Sequence, residues 1–252
     1  SDLFLLVYFV CNASFSASPE SLSPPTKTIK PLKTLDNSLN SHLSDKAFLN
    51  SNIIIVDMGS TGSRMHAYKI QRPAHQKTHS ISTLTEIATS KSSSDPALGS
   101  AVADYINTPQ KVSEHILPLY KDLTQQLAHL DLNINETPIY LYATGGMRLH
   151  EVNKQQKLHQ QIKKILITTG HNEKSIVSET ISGELEGIFA WLSVNYKLKT
   201  LQNRKPTLAA LDMGGASTQV AMEYEAKTIP KNSKNLYALK FNGKKYLIYS
   251  KS

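Results

Sequence analysis

Two short segments of this chain repeat one pattern: Asp57-Met58-Gly59-Ser60-Thr61-Gly62-Ser63-Arg64 and Asp212-Met213-Gly214-Gly215-Ala216-Ser217-Thr218-Gln219. Each places an Asp at the end of an apolar run, a glycine two residues on, and then small or hydroxylated residues. Glycines in such a turn let backbone N–H groups converge on one point, and Ser and Thr hydroxyls complete a cradle for phosphate oxygens. Two cradles facing each other would grip a phosphate chain from both sides. An Asp beside each suits a hydrated divalent cation, because Mg²⁺ prefers carboxylate oxygens and keeps several waters while bridging to phosphates. A single strand–Asp–Gly turn is an ordinary hairpin feature; two copies in one register are a stronger signal.

The elements around the first turn follow from periodicity. Asn52–Met58 is a β-branched run, and Arg64–Ile70 and Ser80–Ser90 alternate, which predicts three successive strands. Lys111–Leu130 sets Val112, Ile116, Leu119, Leu123, Leu127 and Leu130 at helical spacing, with Pro118 predicting a kink or a late start. A strand (Ile139–Ala143), a helix (Glu151–Thr169, ended by Gly170), a short strand (Ser175–Ser178) and a helix (Gly183–Tyr196) complete the order βββαβαβα. At Leu208–Asp212 a new strand runs into the second glycine turn and Gln219–Tyr224 leaves it, so a second copy of the fold begins near residue 206. Glu184 and Glu186 fall on the first turn of the last helix, where the helix dipole alone favours acidic residues.

Composition and charge narrow the class further. With 40% apolar residues, 19% charged residues and one cysteine, the chain is no coiled coil, disulfide scaffold or polytopic membrane protein. The formal charge of +8 is concentrated at one end: residues 226–252 hold Lys227, Lys231, Lys234, Lys240, Lys244, Lys245 and Lys251 and no acid. Interleaved with Tyr237, Phe241, Tyr246 and Tyr249, these lysines read as the solvated face of alternating strands, and no nucleic-acid partner is expected. Leu3–Val10 followed by Ala13, Ser14, Ser16 and Ala17 has the form of a partial secretory signal over 1–17, too short to span a bilayer. Residues 18–50 read as a flexible linker. A mature form beginning after Cys11 has no cysteine, hence no disulfide and no cysteine metal ligand. His75 and His79 lack a carboxylate at zinc-site spacing and are expected to be surface residues.

Four segments, in order, resemble the motifs of the apyrases, the nucleoside triphosphate diphosphohydrolases of the actin and sugar-kinase ATPase superfamily. They are Val56–Arg64, with Met58 where Ala is more usual; Ala143-Thr144-Gly145-Gly146-Met147-Arg148, with Gly146 a departure; Ile181–Trp191 with Asn195-Tyr196 beyond; and Leu211–Gln219. The resemblance covers about residues 51–225 and lacks the family's fifth motif. It implies an α/β, ribonuclease H-like fold, with a first lobe over 51–205 and the beginning of a second, incomplete lobe over 206–252 that would expose a strand edge and apolar surface. The shortage of cysteines departs from the animal relatives and points to a bacterial or divergent member.

Residue by residue, the resemblance implies Glu186 as the general base for a water attacking the terminal phosphorus, with Ser217, Gln219 and the Ala216 amide holding that water. Gly59, Ser60, Thr61, Gly62, Ser63, Arg64, Thr144, Gly214 and Gly215 would bind phosphate. Asp57 and Asp212 would hold Mg²⁺ or Ca²⁺ through water. The implied protein is a secreted or periplasmic enzyme acting on nucleoside tri- and diphosphates, with no membrane span in its mature form. Two alternatives stay open: an exopolyphosphatase or guanosine-pentaphosphate phosphatase, and a nucleotide-binding module or fragment that does not hydrolyse.

Overall fold

A computed structural model describes residues 52–71, 83–92, 101–203, 205–225, 234–241 and 244–252. Residues 1–17 and 18–50, His75, His79, Lys227 and Lys231, for which the sequence sets expectations, lie outside the described residues. The first sheet holds β1 (Asn52–Met58), β2 (Ser63–Gln71), β3 (Thr83–Lys91), β4 (Ile139–Ala143) and β5 (Ile176–Thr180) in the order β3-β2-β1-β4-β5. Its helices are α1 (Ser113–Leu127), the single turn α2 (Gly145–Arg148), α3 (Val152–Thr168) and α4 (Gly183–Lys197). The second sheet holds β6 (Ala210–Met213), β7 (Thr218–Glu223), β8 (Leu236–Phe241) and β9 (Lys244–Lys251) in the order β6-β7-β9-β8. The expected order βββαβαβα is present, with α2 as the added turn.

β1 is apolar on consecutive residues because both its faces are covered. Ile54, Val56 and Met58 face a core shared with α1 and α3, whereas Ile53 and Ile55 face a second core shared with α4 and the strands of the second sheet. Alternation therefore turns Asp57, two residues past Ile55, to the α4 side. α4 lies between the two sheets and buries Leu185, Ile188, Phe189, Trp191 and Leu192. A helix apolar on so many sides is stable only when enclosed in this way. Its N-terminus is capped by Ser182, whose hydroxyl accepts from the Leu185 N–H at 3.1 Å.

Pro118 lies inside the helix and does not set its start. The segment opens with a 3₁₀ turn at Pro109–Val112, and the α-helix begins only at Ser113. Inside that helix Pro118 removes the bond to the carbonyl of Glu114, a residue on the exposed side where water replaces it. α3 ends before Gly170, whose φ of +96° is the left-handed conformation that closes a helix without strain.

The internal repeat is geometric as well as sequential. Asp57 pairs with Arg64 and Met58 with Ser63 across β1–β2; Asp212 pairs with Gln219 and Met213 with Thr218 across β6–β7. The copies diverge afterwards, because β7 pairs with β9 while β8 takes the outer edge and leads back by a hairpin. Along β9, Tyr246, Ile248 and Ser250 are buried and Lys245 and Lys251 are exposed, the alternation expected of a basic solvated face. Lys244 lies 4.3 Å from the centroid of the Tyr246 ring and 3.5 Å from Glu223. Among the described residues β6 has a strand neighbour on one edge only, and Leu211 and Met213 on it are 65% and 74% exposed.

The second sheet sits on α4 at a seam of small residues. A Cβ on Gly187 would lie 2.5 Å from the Ser250 hydroxyl, and one on Gly183 would collide with Ser252. Glycine at these two positions, one helical turn apart, is what lets β7 and β9 approach closely enough for the Ser250 hydroxyl to donate to the Glu184 carbonyl at 2.7 Å.

Candidate active site

The two glycine turns meet. A Cβ on Gly215 would lie 2.8 Å from Thr61 Cγ2 and 2.9 Å from Ser60 Oγ, so the second turn is packed directly on the first. Between them opens a cavity of about 510 Å³ lined by Asp57, Gly59 through Arg64, Thr144, Glu186, Asp212, Gly214 and Gly215, which brings the phosphate-binding and metal-holding candidates to one cleft. Ser63 is buried, and its hydroxyl is 2.9 Å from His115 Nε2 while its N–H donates to the Ser92 hydroxyl at 3.0 Å. Its carbonyl also accepts from the Ser92 N–H at 2.9 Å, so both its side chain and its backbone brace the turn.

Lys91 and Ser92 also line the cavity, and sequence reading did not select them. Lys91 is the register partner of Arg64 on the neighbouring strand, so two cations stand side by side at the cleft. Like charges directly opposite on adjacent strands disfavour the pairing, and an anion between them removes that penalty. A lone lysine at the end of an alternating strand carries no sequence signal for this role.

Glu186, on the first turns of α4, is only 6% exposed. Its Oε2 accepts from Arg148 Nη2 at 2.7 Å. The same Nη2 donates to Ser217 Oγ at 2.9 Å, and Arg148 Nη1 donates to the Ile181 carbonyl at 3.0 Å. Gln219 is 1% exposed; its Nε2 donates to Ser217 Oγ at 2.7 Å and to Ser252 Oγ at 3.1 Å, and its Oε1 has no hydrogen-bond partner among the described residues. Ala216 lies on the same turn, close to Gly145 of α2. Glu186, Ser217, Gln219 and Ala216 are thus drawn together around Arg148, a residue whose sequence context fits an inter-loop bridge as well as a phosphate ligand.

Electrostatics in the cleft are set first by burial of its carboxyls and then by their charged neighbours. Burial pushes the Asp57 carboxyl from an ordinary 3.8 up to about 7; Arg64, whose Nη1 is 4.0 Å away, opposes this, while Glu186 and Asp212 add to it. Burial also raises the Glu186 carboxyl, against the hydrogen bond and charge of Arg148, with Asp212 adding. Two hard carboxylates on opposite turns, both repelled by Glu186, fit a divalent cation. Among the described residues no three His, Cys, Asp or Glu side chains are grouped to hold a metal ion; Asp57 and Asp212, one carboxylate from each turn, are oxygen donors of the kind Mg²⁺ or Ca²⁺ takes through water.

A raised carboxyl makes stability depend on pH with a definite sign. Between about 4 and about 7 the folded state keeps a proton on Asp57 that the unfolded chain has released, so cation-free stability falls as pH rises through this window. Asp57→Asn is therefore expected to raise cation-free stability at pH 8 by about 2–4 kcal/mol, roughly 5 °C or more in Tm, and to match the parent below pH 4. The same substitution should shrink the gain in Tm that Mg²⁺ or Ca²⁺ gives the parent protein. Thermal unfolding at pH 3.5 and 8, with each cation and with EDTA, checks both; a substitution that lowers Tm at pH 8 would refute the raised carboxyl.

The architecture defines an α/β protein of the ribonuclease H-like, actin and sugar-kinase ATPase type, and its structure superposes on the nucleoside triphosphate hydrolases from Neospora caninum with a TM-score of 0.52 at 17% identity, over 80% of this chain and 44% of that one. The chain belongs to the GDA1/CD39 (nucleoside phosphatase) family, which it matches over residues 49–252. It is 29% identical over 211 residues to ectonucleoside triphosphate diphosphohydrolase 2 of Mus musculus, covering 79% of this chain and 40% of that protein. It is 32% identical over 179 residues to the Golgi apyrase of Schizosaccharomyces pombe, covering 68% of this chain and 31% of that protein. The chain thus spans less than half the length of the curated relatives it matches. Among the described residues no helix is long and apolar enough to cross a membrane.

Proposed function

We propose that this protein is an extracytoplasmic nucleotide phosphohydrolase that releases the terminal phosphate of nucleoside tri- and diphosphates by in-line attack of water. The observation that carries the reading is the placing of a buried Glu186 carboxylate beside a cleft walled by two touching phosphate-type turns. The twin turns would hold the phosphate chain through backbone N–H groups and the hydroxyls of Ser60 and Thr61, with Arg64 pairing with its oxygens. Glu186 takes the proton of the water as the new O–P bond forms, and the phosphoanhydride P–O bond breaks with its electron pair leaving on the bridging oxygen. Phosphoryl transfer asks the protein chiefly to position the water and to neutralise charge, which is what this arrangement supplies.

Asp57 and Asp212 would hold the divalent cation through water, and the bound cation would neutralise charge on the phosphate oxygens. The ecto-type and Golgi relatives, together with the leader-like run at residues 3–10, support an extracytoplasmic site of action. Phosphate release from ATP, ADP, AMP and polyphosphate, with Mg²⁺, Ca²⁺ or EDTA, tests the proposal. Cation-dependent release from ATP and ADP but not AMP supports it; release from polyphosphate alone would assign the protein to the exopolyphosphatase type.

Contact between the turns sets a further expectation. Gly215→Val drives a branched side chain into Ser60 and Thr61 and pushes the cradles apart. KM for ATP should rise about tenfold. Tm should change little, because Gly215 and Thr61 are exposed. Steady-state kinetics beside a melting curve separates this from a general loss of fold.

A further inference from the structure

We infer that Arg148 is a positioning residue that fixes the direction of the protons around the attacking water, an inference that rests on the hydrolytic reading above. A guanidinium donates only; it cannot accept a hydrogen bond or lose its proton. Whatever accepts from Arg148 therefore has its own polarity set. The Ile181 carbonyl pins one arm of the fork at 3.0 Å, and Nη2 divides its two hydrogens between Glu186 Oε2 at 2.7 Å and Ser217 Oγ at 2.9 Å.

The consequences follow by counting lone pairs. Ser217 Oγ has two, and Arg148 and Gln219 Nε2 take both. Its hydrogen is left as the one group it can offer, so Ser217 is a donor to any further partner. Gln219 Nε2 spends its two hydrogens on Ser217 and Ser252, which holds the amide against a flip and leaves the buried Oε1 as an acceptor without a partner among the described residues. Glu186, with Oε2 occupied, presents Oε1. A water between them donates to Glu186 Oε1 and Gln219 Oε1 and accepts from Ser217. Its remaining lone pair is the nucleophile. Arg148 acts through Glu186 and Ser217, and it joins α2 to the β6–β7 turn.

The charge of Arg148 has a separate effect. Facing Glu186 from the other elements are Asp57 on β1 and Asp212 on β6; burial raises the Glu186 carboxyl and Asp212 adds to it, while the hydrogen bond and charge of Arg148 oppose the rise. Removing it takes away the hydrogen bond and charge that hold the Glu186 carboxyl down, and that carboxyl moves further up.

The test compares Arg148→Gln, Arg148→Lys and Glu186→Gln in the full-length protein, with kcat and KM for ATP measured across pH, ATP affinity by calorimetry, and Tm. Arg148→Gln is expected to lower kcat by about 10²-fold, to leave KM and ATP affinity within about threefold, and to move the acid limb of the kcat profile to higher pH. Arg148→Lys keeps a cation but not the fork, so its acid limb should stay near the parent's while kcat remains low. Full recovery of kcat by Lys would overturn the positioning role, as would a rise in KM with kcat unchanged, which marks a phosphate ligand. A fall in Tm with kcat and the acid limb as in the parent would leave Arg148 a structural bridge and overturn it too. If Arg148→Gln fails to fold, the Lys variant decides by the same criteria. A parent protein that hydrolyses no nucleotide defeats the functional reading and this inference together; an active parent that loses activity with Glu186→Gln but not with either Arg148 variant defeats this inference alone.

Discussion

Glu186→Gln is expected to lower phosphate release from ATP by about 10²–10⁴-fold while nucleotide affinity stays within a few-fold. The amide has the size of the carboxylate and offers an oxygen to Arg148, so the fork that spans Ser217 and the Ile181 carbonyl survives. What is lost is a group that can take a proton from water. Stability moves the other way from activity. Burial holds the Glu186 carboxyl above its ordinary range, so its charged form is under strain in the folded protein, and a neutral amide relieves that strain above neutral pH. The variant should melt no earlier than the parent at pH 8 without cation. Single-turnover hydrolysis, ATP calorimetry and a melting curve measure the three quantities on one preparation. Loss of ATP binding in step with activity would make Glu186 a ligand of the substrate or its cation, and unchanged turnover would remove it from the chemistry.

How far the sequence exposed this site depends on how locally each part is encoded. The two turns were legible because a strand end, an Asp and a glycine two residues on are neighbours in the chain, and the shared register of β1–β2 and β6–β7 follows from that spacing. Glu186 is different: on α4 alone it is one of two acids on a helix N-terminus, and only its place in a third motif distinguishes it from Glu184. Lys91 and Ser252 carry no local signal, and for Arg148 the sequence leaves an inter-loop bridge and a phosphate ligand equally open without naming its partners. Arg148 meets Glu186 and Ser217 across 38 and 69 residues of chain, and Ser252 reaches Gln219 across 33. No periodicity or spacing rule spans such separations. The alternation marks β8 as a strand, but its place at the outer edge depends on β9 returning to β7 and has no local signal.

Trp191→Ala is expected to destabilise the protein by about 3–5 kcal/mol, a fall in Tm of roughly 10 °C. Trp191 is fully buried and lies edge-on to Tyr246 of β9, with ring centroids 5.5 Å apart, in the core that also holds Ile53, Ile55 and Tyr142 of the first sheet. Truncation opens a cavity where α4 joins the two sheets, and enclosure between them limits how far the walls can collapse. Trp191→Phe should lose much less, because most of the ring contact remains and the indole Nε1, which has no partner among the described residues, is removed with its desolvation penalty. Because one core serves both sheets, unfolding of the alanine variant should remain a single transition, with amide protection in β6–β9 lost together with that in β1 and β4. Early loss of protection in β6–β9 alone would mean that the second sheet is held by the seam at Gly183 and Gly187 more than by the shared core. Activity separates the two outcomes as well: Asp212, Ser217 and Gln219 belong to the β6–β7 hairpin and Glu186 to α4, so a sheet that lifts from the helix carries the water-holding side chains away from the base before the first lobe unfolds.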